Sequence, residues 1–248
     1  MVPTSLDGFK APPGETELPT DTGQPMDHRS QVVLLVDTLD QAWADRQDVC
    51  VAGNLPLYFS AHQIQNNDFL GPDVMVVLAT TRRQRKSWVV WQEGRTPDVV
   101  IELLSPSTEA NDRGHKMQVY ARTLKVGEYY LFDVVDGRFE GYELAPRQHM
   151  YTAMTPDPDG GITSRFLGLR LVPTEMTLRS GESRLFLRWY TLDGALLPTG
   201  AEAAEAEKSR AEAEKSRAEA EKSRAEAERA RADALAEQLR ALGITPQG

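Results

Sequence analysis

Cysteine is almost absent. Cys50 is the only one in 248 residues, which excludes an internal disulfide and any zinc site built on several thiolates, and makes a reducing cytoplasm the expected compartment. No apolar run approaches the ~18 residues of a membrane span. The longest are VVLLV at 32–36 and VMVVLA at 74–79, so no membrane partner is expected. The N-terminus carries acids and prolines in place of a basic stretch followed by an apolar one, so no signal peptide is visible. Positive charge is also short: 28 Lys and Arg stand against 37 Asp and Glu, a net charge of −9. A whole-surface attraction to nucleic acid is thereby excluded, and DNA binding would require a local basic patch or bound cations. Several catalytic patterns are missing as well. There is no GxxxxGK[ST] or GxGxxG phosphate loop and no GxSxG elbow, and His28, His62, His115 and His149 lack the HExxH spacing.

What is present divides the chain into five parts. Residues 1–26, rich in Pro, Thr, Gly and Asp, are expected to form a flexible leader. Residues 27–192 carry the patterning of an α/β domain, 193–200 read as a linker, 201–243 as a helical tail and 244–248 as a disordered end. In the domain, Asp27 or Ser30 is placed to cap a helix with Val32, Leu35, Val36, Leu39 and Trp43 on one side. Short strands are expected at Val49–Val51, Pro56–Ser60, Val74–Leu78, Trp88–Trp91 and Val99–Leu104. A helix follows from Asn111 to Leu124, ended by Gly127. Then Glu128–Val134 and Arg138–Leu144 form a hairpin across Asp136-Gly137. Strands with one interposed helix and a terminal hairpin predict a mixed α/β sheet.

The tail repeats AEAEKSR at 204–210, 211–217 and 218–224, followed by AEAERAR at 225–231. Alanine favours helix, and opposite charges meet at i,i+3 and i,i+4. An a/d seam of Ala206, Ser209 and their repeats is poor in apolar area. Two readings stand: a solvated single helix with at most weak self-association, or a specific coiled coil serving a homo-oligomer or a protein partner.

The acidic residues are the informative ones. Glu102 lies inside the apolar run Val99–Leu104, where a carboxylate needs a cation, metal or donor to compensate its desolvation. It is either one half of a buried ion pair or a metal ligand or general base. Asp73 follows Gly71-Pro72 and precedes Val74–Leu78; it is either a turn residue or a partner arriving from a second strand. Asp98 and Glu102 share a strand face but lie ~13 Å apart, too far to hold one ion together, so Asp98 is a strand-entry or supporting residue. On the following helix Lys116 and Tyr120 are i,i+4 and share a face, pointing either to solvent or over the carboxylates. Thr81-Arg82-Arg83-Gln84-Arg85-Lys86 places four cations in five positions. The loop is either a DNA-phosphate contact or a solvated hairpin tip.

The run TPDVVIELLSPSTEANDRGHKMQVYARTLKVGEYYLFDV, with GPDVMVV upstream, resembles the Uma2 family of restriction endonucleases within the PD-(D/E)xK nuclease superfamily. The resembling positions are Pro72-Asp73, Pro97-Asp98, Glu102, Ser105-Pro106-Ser107, Lys116, Tyr120, Glu128-Tyr129 and Asp133. The resemblance implies a restriction-endonuclease-like mixed β-sheet with flanking helices, to which this chain adds a long C-terminal helical tail. It also implies Mg²⁺- or Mn²⁺-dependent hydrolysis of DNA phosphodiesters. Asp73, Glu102 and the backbone carbonyl of Leu103 would hold the metal, with Asp98 and Tyr120 in support. In the superfamily pattern the lysine stands two residues after the glutamate, where this chain has Leu104. The family resemblance implies that Lys116 takes over that role from the following helix. The alternative is a catalytically silent nuclease-like adaptor that binds partners through its tail. A two-carboxylate glycosidase is disfavoured, because no aromatic cluster for sugar stacking accompanies the acids.

Overall fold

The computed structural model describes residues 26–60, 69–178 and 181–241. The expected leader, but for Met26, and the expected disordered end lie outside them. The chain forms two units, 1–197 and 198–248.

In the first unit, six strands form one sheet in the order β1 (Val49–Gly53), β3 (Val74–Leu78), β5 (Val99–Leu104), β6 (Glu128–Asp133), β7 (Phe139–Glu143), β8 (Thr152–Ala153). All neighbours are antiparallel except β5 and β6. That parallel pair needs a crossover, supplied by helix α3, residues 109–124. Apart from Glu102, β3 and β5 are apolar on both pleat faces because both faces are covered. On one face, Val74 and Val76 of β3 with Val99 and Ile101 of β5 meet helix α1 (Met26–Ala42) and the three-stranded sheet β11 (Ser183–Thr191), β10 (Leu169–Thr177), β9 (Ile162–Ser164). Even-numbered positions of β5 (Val100, Leu104), with Met75 and Val77 of β3, meet Tyr120 and Leu124 of α3 together with Leu57 and Trp88. The last two belong to a parallel pair, β2 (Leu57–Tyr58) and β4 (Trp88–Val89). Burying Leu35 and Leu39 of α1 is worth about 1.5–3 kcal/mol each. That exceeds any intrinsic helix preference of those residues, so packing decides the helix.

Four local expectations are corrected. α1 is already helical at Met26, so Asp27 and Ser30 lie within it and do not cap it. Pro56–Ser60 contributes only the two residues of β2. The strand expected through Trp91 stops at Val89: a short helix α2 (Val90–Glu93) follows, closed by Gly94 in a left-handed conformation at φ 69°. Trp88 enters the core while Trp91 is 47% exposed. Finally, α3 ends at Lys125 in the left-handed region, with Val126 N–H bonded to the Tyr120 carbonyl. Gly127 serves another purpose. A Cβ there would come within 2.4 Å of the Phe166 ring, so the glycine permits the close approach of the β9–β10 turn. Gly127→Ala is expected to lower stability by about 1–3 kcal/mol, read from the urea midpoint; an unchanged midpoint would show that Phe166 simply swings away.

The same turn is held by Glu128, 2% exposed. Its carboxylate accepts from Tyr130 OH (3.0 Å), Ser164 Oγ (2.5 Å), Arg165 N–H (2.7 Å) and Phe166 N–H (3.4 Å). These donors offset its desolvation and join the small sheet to β6. Past β11 the chain turns at Gly194 and returns, Thr191 N–H bonding Ala195 O and Leu197 N–H bonding Trp189 O. Part of the expected linker is therefore hydrogen-bonded to β11.

The second unit is helix α4 (Gly200–Ala241), 42 residues with none buried and ~63 Å long at 1.5 Å per residue. Its start is a capping box: Glu202 N–H bonds Thr199 Oγ1 at 3.1 Å while Thr199 N–H bonds Glu202 Oε2 at 2.8 Å. No helix among the described residues is long and apolar enough to cross a membrane.

Candidate active site

The β3–β5 register builds the centre of the site. Val74 pairs with Ile101, so the next position along brings Asp73 opposite Glu102, with both side chains on the pleat face covered by α3. Asp73 N–H points to Glu102 Oε2 at 3.3 Å, and Leu103 N–H donates to Asp73 Oδ2 at 2.8 Å. The two acids are buried, Glu102 completely. The N–H and C=O of one strand residue project to the same edge. The Leu103 carbonyl therefore faces the side of β5 where pairing with β3 has ended at Ile101–Val74.

Helix α3 delivers the amine. Lys116 Nζ lies 3.0 Å from Glu102 Oε2, 2.9 Å from Asp112 Oδ1 and 3.3 Å from the Gly71 carbonyl. Tyr120, one turn on, donates its OH to Glu102 Oε1 at 3.0 Å. Lys116 closes a π-helical turn, Asp112–Lys116, and a second such turn spans Tyr120–Leu124. Turns of this kind are rare and recur at functional sites. Asp112, 1% exposed, is thus a third acid in the cluster, and its backbone carbonyl accepts from Tyr129 OH at 2.9 Å. The sequence reading missed it, although Asp112 and Lys116 stand at i,i+4.

A fourth group comes from the opposite layer. His28, in the first turns of α1, is 4% exposed and places Nε2 3.4 Å from Asp73 Oδ2. No motif in the sequence announced this contact.

The electrostatics follow from burial and from like charges. Burial raises the Glu102 carboxyl most; Lys116 pulls it down, Asp73 and Asp112 push it up, and the result is about 8. Burial works against the Lys116 ammonium, but Glu102 and Asp112 outweigh it and hold its pKa above the ordinary lysine value. Burial also raises the Tyr120 phenol well above the usual range, reinforced by Glu102.

Other expected site residues lie elsewhere. Asp98 accepts from Leu78 N–H at 2.7 Å and sits 3.9 Å from Arg95, at the entry of β5. In the basic loop, Arg82 binds Asp40 at 2.9 Å and the Trp43 carbonyl at 2.8 Å. Arg83 and Arg85 both bind Glu93, at 2.6 and 2.9 Å, and Arg85 also lies over the Trp88 ring. These ion pairs bridge 8 to 42 residues of chain and were invisible in the local sequence. Lys86 is exposed.

The uncharacterized protein slr1290 of Synechocystis sp. is 35% identical over 82 residues, 33% of this chain and 40% of that protein. The chain thus spans less than half the length of that relative. A solved structure of a putative nuclease belonging to DUF820 from Anabaena variabilis is similar at a TM-score of 0.42 with 16% identity, over 58% of this chain and 76% of the other. The model of the Uma2 family, described as putative restriction endonuclease, matches residues 15–174. That stretch takes in every strand of the six-stranded sheet and the whole of α3. The chain belongs to the Uma2 family.

Proposed function

We propose that the chain is a divalent-metal-dependent endonuclease that hydrolyses phosphodiester bonds in DNA. The observation that carries this reading is a pair of buried carboxylates on facing strand positions with an ammonium 3.0 Å from one of them. In the proposal Asp73 and Glu102 hold Mg²⁺ or Mn²⁺, and the Leu103 carbonyl completes the protein's share. The donors fit such an ion, being hard oxygens on adjacent positions. Among the described residues no group of three or more His, Cys, Asp or Glu side chains is gathered as a metal cage. Mg²⁺ does not require one, since it keeps several of its waters. When bound, the ion supplies Lewis-acid neutralisation of phosphate charge and activation of water.

The chain's own groups then have separate tasks. Lys116, held protonated by Glu102 and Asp112, acts as a fixed positive charge beside the phosphate as negative charge develops, not as a proton acceptor. Tyr120 keeps its proton and fixes the Glu102 carboxylate through Oε1. Of the basic loop, the exposed Lys86 and the half-exposed Arg83 are proposed for phosphate contact, while Arg82 and Arg85 hold the loop in place. Asp98 supports the β3–β5 ladder. A supercoiled plasmid incubated with Mg²⁺ or Mn²⁺ is expected to be nicked, and EDTA is expected to stop the reaction. No conversion with either ion would leave the nuclease-like adaptor as the reading.

The raised Glu102 value makes metal binding pH-dependent. Between its ordinary 4.5 and about 8 the folded, metal-free protein carries a proton that the unfolded chain has lost. That contribution to stability is full below 4.5 and disappears as pH rises through about 8. A metal needs the carboxylate, so binding in this window releases the proton, and affinity climbs by up to ~10-fold per pH unit until the window closes. Calorimetry at pH ~6.5 in buffers of different ionisation enthalpy is expected to show close to one proton released per ion. Heats that do not depend on the buffer would contradict the raised value.

A further inference from the structure

His28 has a place that packing alone does not explain. Val32 approaches β1 so closely that a Cβ on Gly53 would come within 2.6 Å of its Cγ1. Gly53 pairs with Val74, and Asn54 N–H bonds the Asp73 carbonyl at 3.0 Å, so this contact lies beside Asp73. His28 stands four residues before Val32 on the same helix face, and the tight approach at Gly53 sets its depth over the Asp73 carboxylate. The imidazole is nearly fully buried, yet its Nδ1 has no hydrogen-bond partner among the described residues. A buried polar atom left unpaired lowers stability by its uncompensated desolvation. An apolar side chain of similar size avoids that cost, so stability does not account for a histidine here. What the histidine adds is Nε2, 3.4 Å from Asp73 Oδ2.

We propose that His28 is the positioning residue of Asp73: with the Leu103 N–H it engages Oδ2 and so turns the other carboxylate oxygen toward the divalent ion. The proposal rests on the metal reading given above. It assigns the Nε2–H tautomer, which leaves a lone pair and not a proton unpaired at Nδ1. Groups that orient a metal ligand from outside typically carry 10- to 100-fold of metal affinity.

The test uses the full chain as wild type, His28→Leu and His28→Gln. Mn²⁺ affinity is measured by calorimetry, and melting temperature is measured in EDTA. His28→Leu is expected to bind Mn²⁺ about 10- to 100-fold more weakly while melting at or above the wild-type temperature. His28→Gln, which keeps an N–H donor at the position of Nε2, is expected to bind within about 3-fold of wild type, well short of the loss expected for His28→Leu. Wild-type affinity in the Leu variant would overturn the proposal. So would a loss of affinity in both variants matched by a fall in melting temperature, which is the mark of a purely structural residue. A wild-type protein that binds no Mn²⁺ would overturn the metal reading itself, and the role of His28 with it.

Discussion

Glu102→Gln is expected to lower divalent-dependent nicking by more than about 10²-fold, because removing a direct metal ligand costs more than removing the groups that orient one. The fold is expected to survive. Near neutral pH, burial and its acidic neighbours already favour the protonated Glu102, and glutamine has the shape and neutrality of that form. With its amide oxygen at the Oε2 position, Gln still accepts from Lys116 and the Asp73 N–H, its NH2 can donate to the Tyr120 hydroxyl oxygen, and Lys116 keeps Asp112 and the Gly71 carbonyl. Urea unfolding of the metal-free variant should therefore fall within ~1 kcal/mol of wild type at pH 7, the size of one net hydrogen bond. Nicking that stays within 10-fold of wild type would remove Glu102 from the site.

Lys116→Ala is expected to act on stability as well as on cleavage. The ammonium sits between two acids that are 0% and 1% exposed. Taking away one partner of a buried ion pair costs about 3–5 kcal/mol, a large part of the 5–15 kcal/mol that holds an average domain folded. The loss has a defined pH dependence. Below the Glu102 value the acid takes up a proton and the missing cation matters less, so the penalty should be larger at pH 8.5 than at pH 6. Adding Glu102→Gln to Lys116→Ala should recover part of it by removing one of the two uncompensated charges. Urea unfolding of the single and double variants at both pH values measures this. A Lys116→Ala protein within ~1 kcal/mol of wild type at pH 8.5 would place the ammonium outside the cluster.

The parts of the site visible in the sequence share a physical reason. Asp73 and Glu102 stand out because a carboxylate at the edge of, or within, a run such as Val99–Leu104 conflicts with burial, and that conflict is local. Lys116 and Tyr120 follow from helical spacing together with a family likeness. The β6–β7 hairpin was readable from Asp136-Gly137, whose glycine adopts φ 73°. What stayed hidden depends on how layers cross. His28 meets Asp73 only because α1 lies hard against Gly53, and Glu93 engages Arg83 and Arg85 only because the chain turns back through α2. The basic loop looked like a free patch for the same reason, since its partners come from other elements. Gly127 shows the limit of a local rule: a glycine just past a helix was read as its terminator, whereas Lys125 takes the left-handed position and Gly127 makes room for Phe166.

The proposed activity depends on one divalent ion gathered by Asp73 and Glu102 within reach of Lys116. Crystals soaked in Mn²⁺ and measured near the manganese absorption edge test this most directly. An anomalous peak bounded by the Asp73 and Glu102 carboxylates and the Leu103 carbonyl is expected in the wild-type protein and not in Glu102→Gln. Manganese bound elsewhere, with Glu102 still joined to Lys116 and Tyr120 and Asp73 to the Leu103 N–H, would contradict it.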